Sequence, residues 1–152
     1  MFDIIKDDLS NERTRELLAI HLAGMHANSP PGAVFALDLS SLQVPGITVW
    51  SVWQASDIVG VGALKELRGG SGELKSMRTH PDHLRKGVAA FLLDFMMREA
   101  RARGLQRLYL ETGSGPAFEP ALALYRRHGF AEGVPFSDYV KSDFNRFLYV
   151  LL

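Results

Sequence analysis

Gly72-Glu73-Leu74-Lys75-Ser76-Met77-Arg78-Thr79-His80-Pro81-Asp82-His83-Leu84-Arg85-Lys86-Gly87-Val88-Ala89-Ala90 decides how this chain folds. Glu73 to Thr79 alternates as a strand does and runs into Pro81. A basic turn follows, Leu84 to Ala89, and an apolar helical pattern begins at once. A glycine-bearing turn at a helix start leaves backbone N–H groups unpaired beside the positive end of the helix dipole, which makes an anion site suited to pyrophosphate. Arg85 and Lys86 would add charge there, and Gly87 would let the phosphate approach without a Cβ in the way. The same turn could serve as plain capping. Its spacing matches neither GxxxxGK[ST] nor GxGxxG.

Working outward, Phe2 to Ile5 reads as a short strand, and Ser10 or Asn11 caps a helix carrying Leu18, Leu22 and Met25. Asn28-Ser29-Pro30-Pro31-Gly32 stops that helix. Val34 to Leu42 suggests a brief second helix. Ile47 to Trp53 and Ile58 to Leu64 form a hairpin ahead of the Glu73 strand. From Val88 to about Arg103 the spacing predicts a long helix with Val88, Phe91, Leu92 and Phe95 as its apolar stripe, closed by Gly104. Leu105 to Thr112 is a strand, and Glu119 to His128 a helix with Pro120 in its first turn and Gly129 past its end. Val134 to Phe136 and Asn145 to Leu152 supply the last strands. Phe147 to Leu152 is apolar on both faces, which places it centrally or at an interface. The order β, α, α, β, β, β, α, β, α, β, β implies an α/β fold with a mixed, mostly antiparallel central sheet flanked by helices. Hairpins belong to its first half and βαβ crossovers to its second.

Composition narrows the function. The chain has 152 residues, enough for one domain spanning 1–152 with a real core. Lys plus Arg equals Asp plus Glu at 17 each, so no global field calls for nucleic acid or an acidic membrane. There is no cysteine, which removes disulfides, thiolate nucleophiles and thiolate metal sites. His80-x-x-His83 has no acidic cluster or Cys beside it, so no metal is expected. No signal-peptide h-region or bilayer-length apolar run is read, and the expected location is cytoplasmic.

Two motifs then bring a family into view. The turn ending Gly87-Val88-Ala89 resembles an Arg/Gln-x-x-Gly-x-Gly/Ala signature, and Ala121, Leu124, Tyr125, Gly129 and Phe130 match A-x-x-L-Y-x-x-x-G-F at every fixed position. In this order, between these elements, they resemble the GNAT family of N-acetyltransferases and its acyl-CoA N-acyltransferase fold. The likeness covers Ile47 to Leu152 well and the opening residues as strand, helix, helix. Leu84 stands where the family has Arg or Gln, and Phe118 where it often has Asn, so two usual side-chain contacts to the cofactor are lacking.

The resemblance implies acetyl-CoA as co-substrate. The backbone of Met77, Arg78 and Thr79 would hold the pantetheine and thioester carbonyl, and Arg85, Lys86, Gly87, Val88, Ala89 and Ala90 the pyrophosphate. Tyr125 would protonate the departing thiolate; alternatively it packs on Phe130 with its hydroxyl wet. Glu73 would be the base, or else it pairs with Lys75, which strand alternation puts on its own face; a bound water could also be the base. His26, Ser29 and Pro30 would meet the acceptor, or form a rigid solvated loop. The expected activity is direct transfer of acetyl to a small amine or amino-acid derivative, without an acyl-enzyme. A peptide or protein amine and a catalytically silent CoA-binding sensor are the alternatives. The apolar last strand makes a homodimer reasonable.

Overall fold

The computed structural model describes residues 1–152. Eleven main elements follow one another: β1 Asp3–Asp7, α1 Glu12–Ala27, α2 Leu39–Leu42, β2 Ile47–Gln54, β3 Asp57–Leu67, β4 Ser71–Thr79, α3 Val88–Ala102, β5 Arg107–Thr112, α4 Glu119–Arg127, β6 Ala131–Glu132 and β7 Arg146–Leu151. Short 3₁₀ turns, Pro81–His83 and Pro116–Phe118, precede α3 and α4. The strands form one sheet in the order β1-β2-β3-β4-β5-β7-β6. Only β4 and β5 are parallel neighbours, as the crossover through α3 requires. β7 slots between β5 and β6, which accounts for its two apolar faces.

Capping chemistry sets where α1 starts. Asn11 accepts from the Arg13 N–H, while the buried Asp7 carboxylate accepts from the Leu9 N–H, the Thr14 hydroxyl and the Ser51 hydroxyl. One carboxylate thus ties β1, β2 and α1 together.

A larger core lies between the sheet and α3 with α4, including Leu64, Leu92, Met96, Leu108, Leu110, Tyr125 and Leu148. A smaller one, with Leu17, Leu42, Val49 and Val61, lies under α1 and α2. Gly60 and Gly62 bring α3 close to β3. A Cβ on Gly60 would stand 2.7 Å from Val88 Cγ1, and one on Gly62 would stand 2.6 Å from Met77 Sδ. The N-terminus of α3 is seated by this close approach.

Three expectations are corrected. Val134 to Phe136 is not a strand: Pro135 has no N–H to give a ladder, Val134 is 78% exposed, and the pairing ends with Ala131–Glu132. The second helix spans only Leu39–Leu42, started by Asp38 accepting from the Ser41 N–H, because the chain ahead of it runs out so that Phe35 can meet Tyr139 at 5.2 Å. On α3 the buried face is Val88, Leu92, Leu93, Met96, Met97 and Ala100. Phe91 is 40% exposed and covers Phe2 edge-on at 5.5 Å, and Phe95 packs on Trp50. No helix is long and apolar enough to cross a membrane.

Candidate active site

The sheet opens in its middle. β4 and β5 pair only at Ser71 with Arg107, Gly72 with Leu108 and Glu73 with Tyr109, and then part. Beyond that point β4 is bulged. Val61 pairs with Arg78 and Ala63 with Lys75, so β4 spends three steps where β3 spends two, and Ser76 takes a left-handed φ of 56°. The extra residue shifts the alternation. Leu74 and Met77 both face α3, while Glu73, Lys75 and Arg78 face α1. The Ser76 hydroxyl is sealed from water without a hydrogen-bond partner, an orphan at the edge where the strands separate.

The basic turn lies just past β4. Arg85 (φ 61°) and Gly87 (φ 82°) are left-handed, and the first bond of α3 is Phe91 N–H to Gly87 carbonyl at 3.0 Å. The N–H groups of Gly87, Val88, Ala89 and Ala90 make no hydrogen bond within the protein, and no side chain caps the helix. Nothing lies within 4 Å of the Cβ that Gly87 lacks. A row of unpaired donors on a helix dipole, open to approach and flanked by exposed Arg85 and Lys86, fits a pyrophosphate.

Tyr125 projects from α4 into the larger core, 7% exposed, with its ring edge-on to Phe130 at 5.6 Å. Burial alone pushes its hydroxyl up to about 12. The group has no protein partner, yet it is not among the sealed unpaired atoms, so it meets an accessible surface. A protonated, otherwise uncommitted phenol can donate to an anion that arrives beside it.

On the opposite face a polar cluster fills the opening. Glu73, 2% exposed on the central strand, accepts from Lys75 Nζ at 3.1 Å and from the Tyr139 hydroxyl at 2.5 Å, and Lys75 also donates to Tyr139 at 2.7 Å. The pairing with Lys75 is therefore real, although Glu73 is far from any edge. Burial raises the Tyr139 hydroxyl, and the Glu73 carboxylate raises it further. Glu111 stands on β5, two residues beyond the last pairing and on the Tyr109 side. Burial raises its carboxyl to about 7, with the Glu73 charge adding to this and Lys75 and Asn145 opposing it. This places a carboxylate that exchanges its proton at neutral pH at the mouth of the opening. Neither Glu111 nor Tyr139 has a role in the sequence reading. The one local sign is an acid directly after the apolar run Leu108-Tyr109-Leu110.

His26, Ser29 and Pro30 come together, with Pro31, Gly32 and Val34, around a cavity of about 340 Å³. The Ser29 hydroxyl is the second sealed, unpaired polar atom of the protein. Val34 lines the cavity and Phe35 beside it touches Tyr139, so the loop is joined to the Glu73 cluster. No group of three or more His, Cys, Asp or Glu side chains is gathered for a metal.

The Acetyltransferase (GNAT) family matches residues 8–130, most of the chain and all of the elements that build the opening. This chain is a GNAT N-acetyltransferase. The GNAT chain is 45% identical to YedL of Escherichia coli strain K12, an uncharacterized N-acetyltransferase, over 100% of its own length and 96% of that protein's. It superposes on a putative acyl-CoA N-acyltransferase from Klebsiella pneumoniae with a TM-score of 0.85 at 26% identity, covering 100% of this chain and 98% of that one. A Bacillus subtilis acetyltransferase solved in complex with CoA has the same fold, with a TM-score of 0.75 at 17% identity and coverage of 100% and 99%. Acetyl-CoA is the general acetyl donor of GNAT enzymes.

Proposed function

We propose that the protein transfers acetyl from acetyl-CoA directly to the amine of a small molecule bound in the cavity of His26, Ser29 and Pro30. The observation that carries the reading is the unpaired N–H row from Gly87 to Ala90, reached from the edge of β4 that β5 leaves free. In this reading Arg85, Lys86, Gly87, Val88, Ala89 and Ala90 hold the pyrophosphate, and the backbone of Met77, Arg78 and Thr79 holds the pantetheine and orients the thioester carbonyl. The orphan Ser76 hydroxyl supports a ligand at this edge.

The amine nitrogen attacks the thioester carbonyl carbon, the carbon–sulfur bond breaks, and the electron pair leaves on sulfur. Tyr125 gives its proton to that thiolate, and solvent later restores it. The ammonium proton passes to the Glu73–Glu111 pair. Glu73 accepts from Lys75 and Tyr139, and Glu111 is the member whose carboxyl burial raises to about 7. With no cysteine, an acyl-cysteine is excluded. A cavity of about 340 Å³ suits a small amine better than an extended chain.

A panel of small amines, amino acids and short peptides, incubated with acetyl-CoA and read by release of free CoA, tests this. Release that depends on a small amine is expected. Turnover confined to peptides would overturn the choice of acceptor, and no amine-dependent release at all would overturn the transferase assignment of this site.

A further inference from the structure

Arg78 is a cation whose surroundings lack their counter-charge. Its side chain leaves β4 on the α1 face, and Nε donates to His21 Nδ1 at 3.1 Å while Nη2 reaches the His21 carbonyl at 3.4 Å. The guanidinium lies directly on the helix, and a Cβ on Gly24 would stand 2.9 Å from Nη2. Lys75 and Arg103, which are also partly buried, each have a carboxylate partner. Arg78 has none in ion-pair range, and burial is the one influence on its guanidinium, with no carboxylate offsetting it. Desolvating a cation without an opposing charge costs stability unless a ligand brings one.

The seat fixes the orientation of the free donors. Burial, with the Arg78 charge, holds the His21 imidazole down at about 4, so it is neutral at physiological pH and its Nδ1 lone pair accepts from Nε. A guanidinium carries five N–H donors. Two are used by His21, which leaves both on Nη1 and one on Nη2. Two adjacent nitrogens with free hydrogens form the fork that receives a carboxylate with two parallel bonds.

The donor molecule does not account for this fork. The phosphate-binding N–H row belongs to α3, and the parity shift at Ser76 sends Met77 to that side and Arg78 to the other. On Arg78's side, the last turn of α1 carries Gly24 and then His26, which lines the small cavity. Lys75 is already neutralised by Glu73.

We infer that the acceptor is an amine that also bears a carboxylate, received by the Nη1–Nη2 edge of Arg78, which His21 and Gly24 hold in place. This rests on the acetyl-transfer reading and narrows it to amino acids and related amino carboxylates. Arg78 is then a specificity-determining residue through its side chain, while its backbone serves the donor.

The test compares acids with their carboxamides at several amine–carboxylate spacings: L-α-amino acids, β-alanine, 4-aminobutyrate and L-lysine, each beside its matched amide. Free-CoA release gives KM and kcat, and calorimetry gives CoA affinity. The wild type should favour at least one acid over its amide by tenfold or more in kcat/KM. Arg78→Gln should raise KM for that acid about 10–100-fold and so abolish its preference over the amide. Arg78→Lys should recover only part of it, since an ammonium cannot reproduce the fork. Gly24→Ala, which a helix tolerates, should push the guanidinium aside and raise KM for the acid alone. Equal use of acids and amides by the wild type, or a preference that survives both Arg78→Gln and Gly24→Ala, would overturn the inference while leaving the transferase reading intact. Failure of every amine would defeat the transferase reading and this inference with it.

Discussion

Replacing Tyr125 by Phe isolates one atom of the proposed mechanism. The ring packs on Phe130 at 5.6 Å and would stay where it is. The hydroxyl has no protein hydrogen bond to lose, so stability should change by no more than about 0.5 kcal/mol and CoA affinity should persist. Burial holds the phenol at about 12 against an ordinary 10.0, so it remains a proton donor throughout the usable pH range. If it protonates the thiolate, kcat should fall about 10–10³-fold, equivalent to about 1.4–4 kcal/mol of barrier, with KM nearly constant because the interaction develops in the transition state. The assay is free-CoA release with an acceptor for which chemistry limits turnover, alongside a thermal melt to show an intact fold. A kcat within twofold of wild type would refute the acid role and leave Tyr125 as core packing.

Glu111→Gln should act on both rate and stability. The folded carboxyl keeps its proton up to about 7 but the unfolded one only to about 4.5, so ionisation costs the folded state at higher pH. Gln should therefore stabilise the protein by about 1–3 kcal/mol at pH 8 and by nothing below about pH 4.5, while kcat/KM falls about 10²–10⁴-fold. Melting at the two pH values checks the sign, and a pH–rate profile with its acidic limb unmoved would count against the base role. Gly87→Asp should abolish CoA binding, because it puts a carboxylate against the anion site and a Cβ where φ is 82°. Native circular dichroism with unchanged CoA affinity would reduce the turn to a helix cap.

Most of the fold was legible because its signals are local. Pro81, Gly87, Gly104 and Gly129 punctuate the chain where the elements change, and the order from β1 to α4 is as the periodicity implies. What was missed is non-local. Phe91 looks like core on a helical wheel, but its contact with Phe2, ahead of β1, decides its place. Phe136 carries a strand's apolar character, yet it folds back to stack on Tyr109 at 4.8 Å. At the site, the N–H row and the His26 loop could be read from glycine and proline. The Glu73–Tyr139 and Arg78–His21 contacts join residues 66 and 57 positions apart, and the elevated Glu111 carboxyl depends on burial that no spacing reveals.

The single extra residue at Ser76 has a consequence for how such a protein can diversify. Because alternation resumes at Met77, the β4 side chains that pack against α3, Leu74 and Met77, fall on one set of strand positions. Glu73, Lys75, Arg78 and Glu111 fall on the other. Lineages can drift at Arg78, exchanging one acceptor for another, without disturbing Leu74, Met77, Leu108 or Leu110. Loss of that one residue would leave both sets on their present faces, since three steps opposite two would become two opposite two, but it would straighten β4 where it parts from β5, so neutral variation should enter here by substitution and hardly ever by deletion.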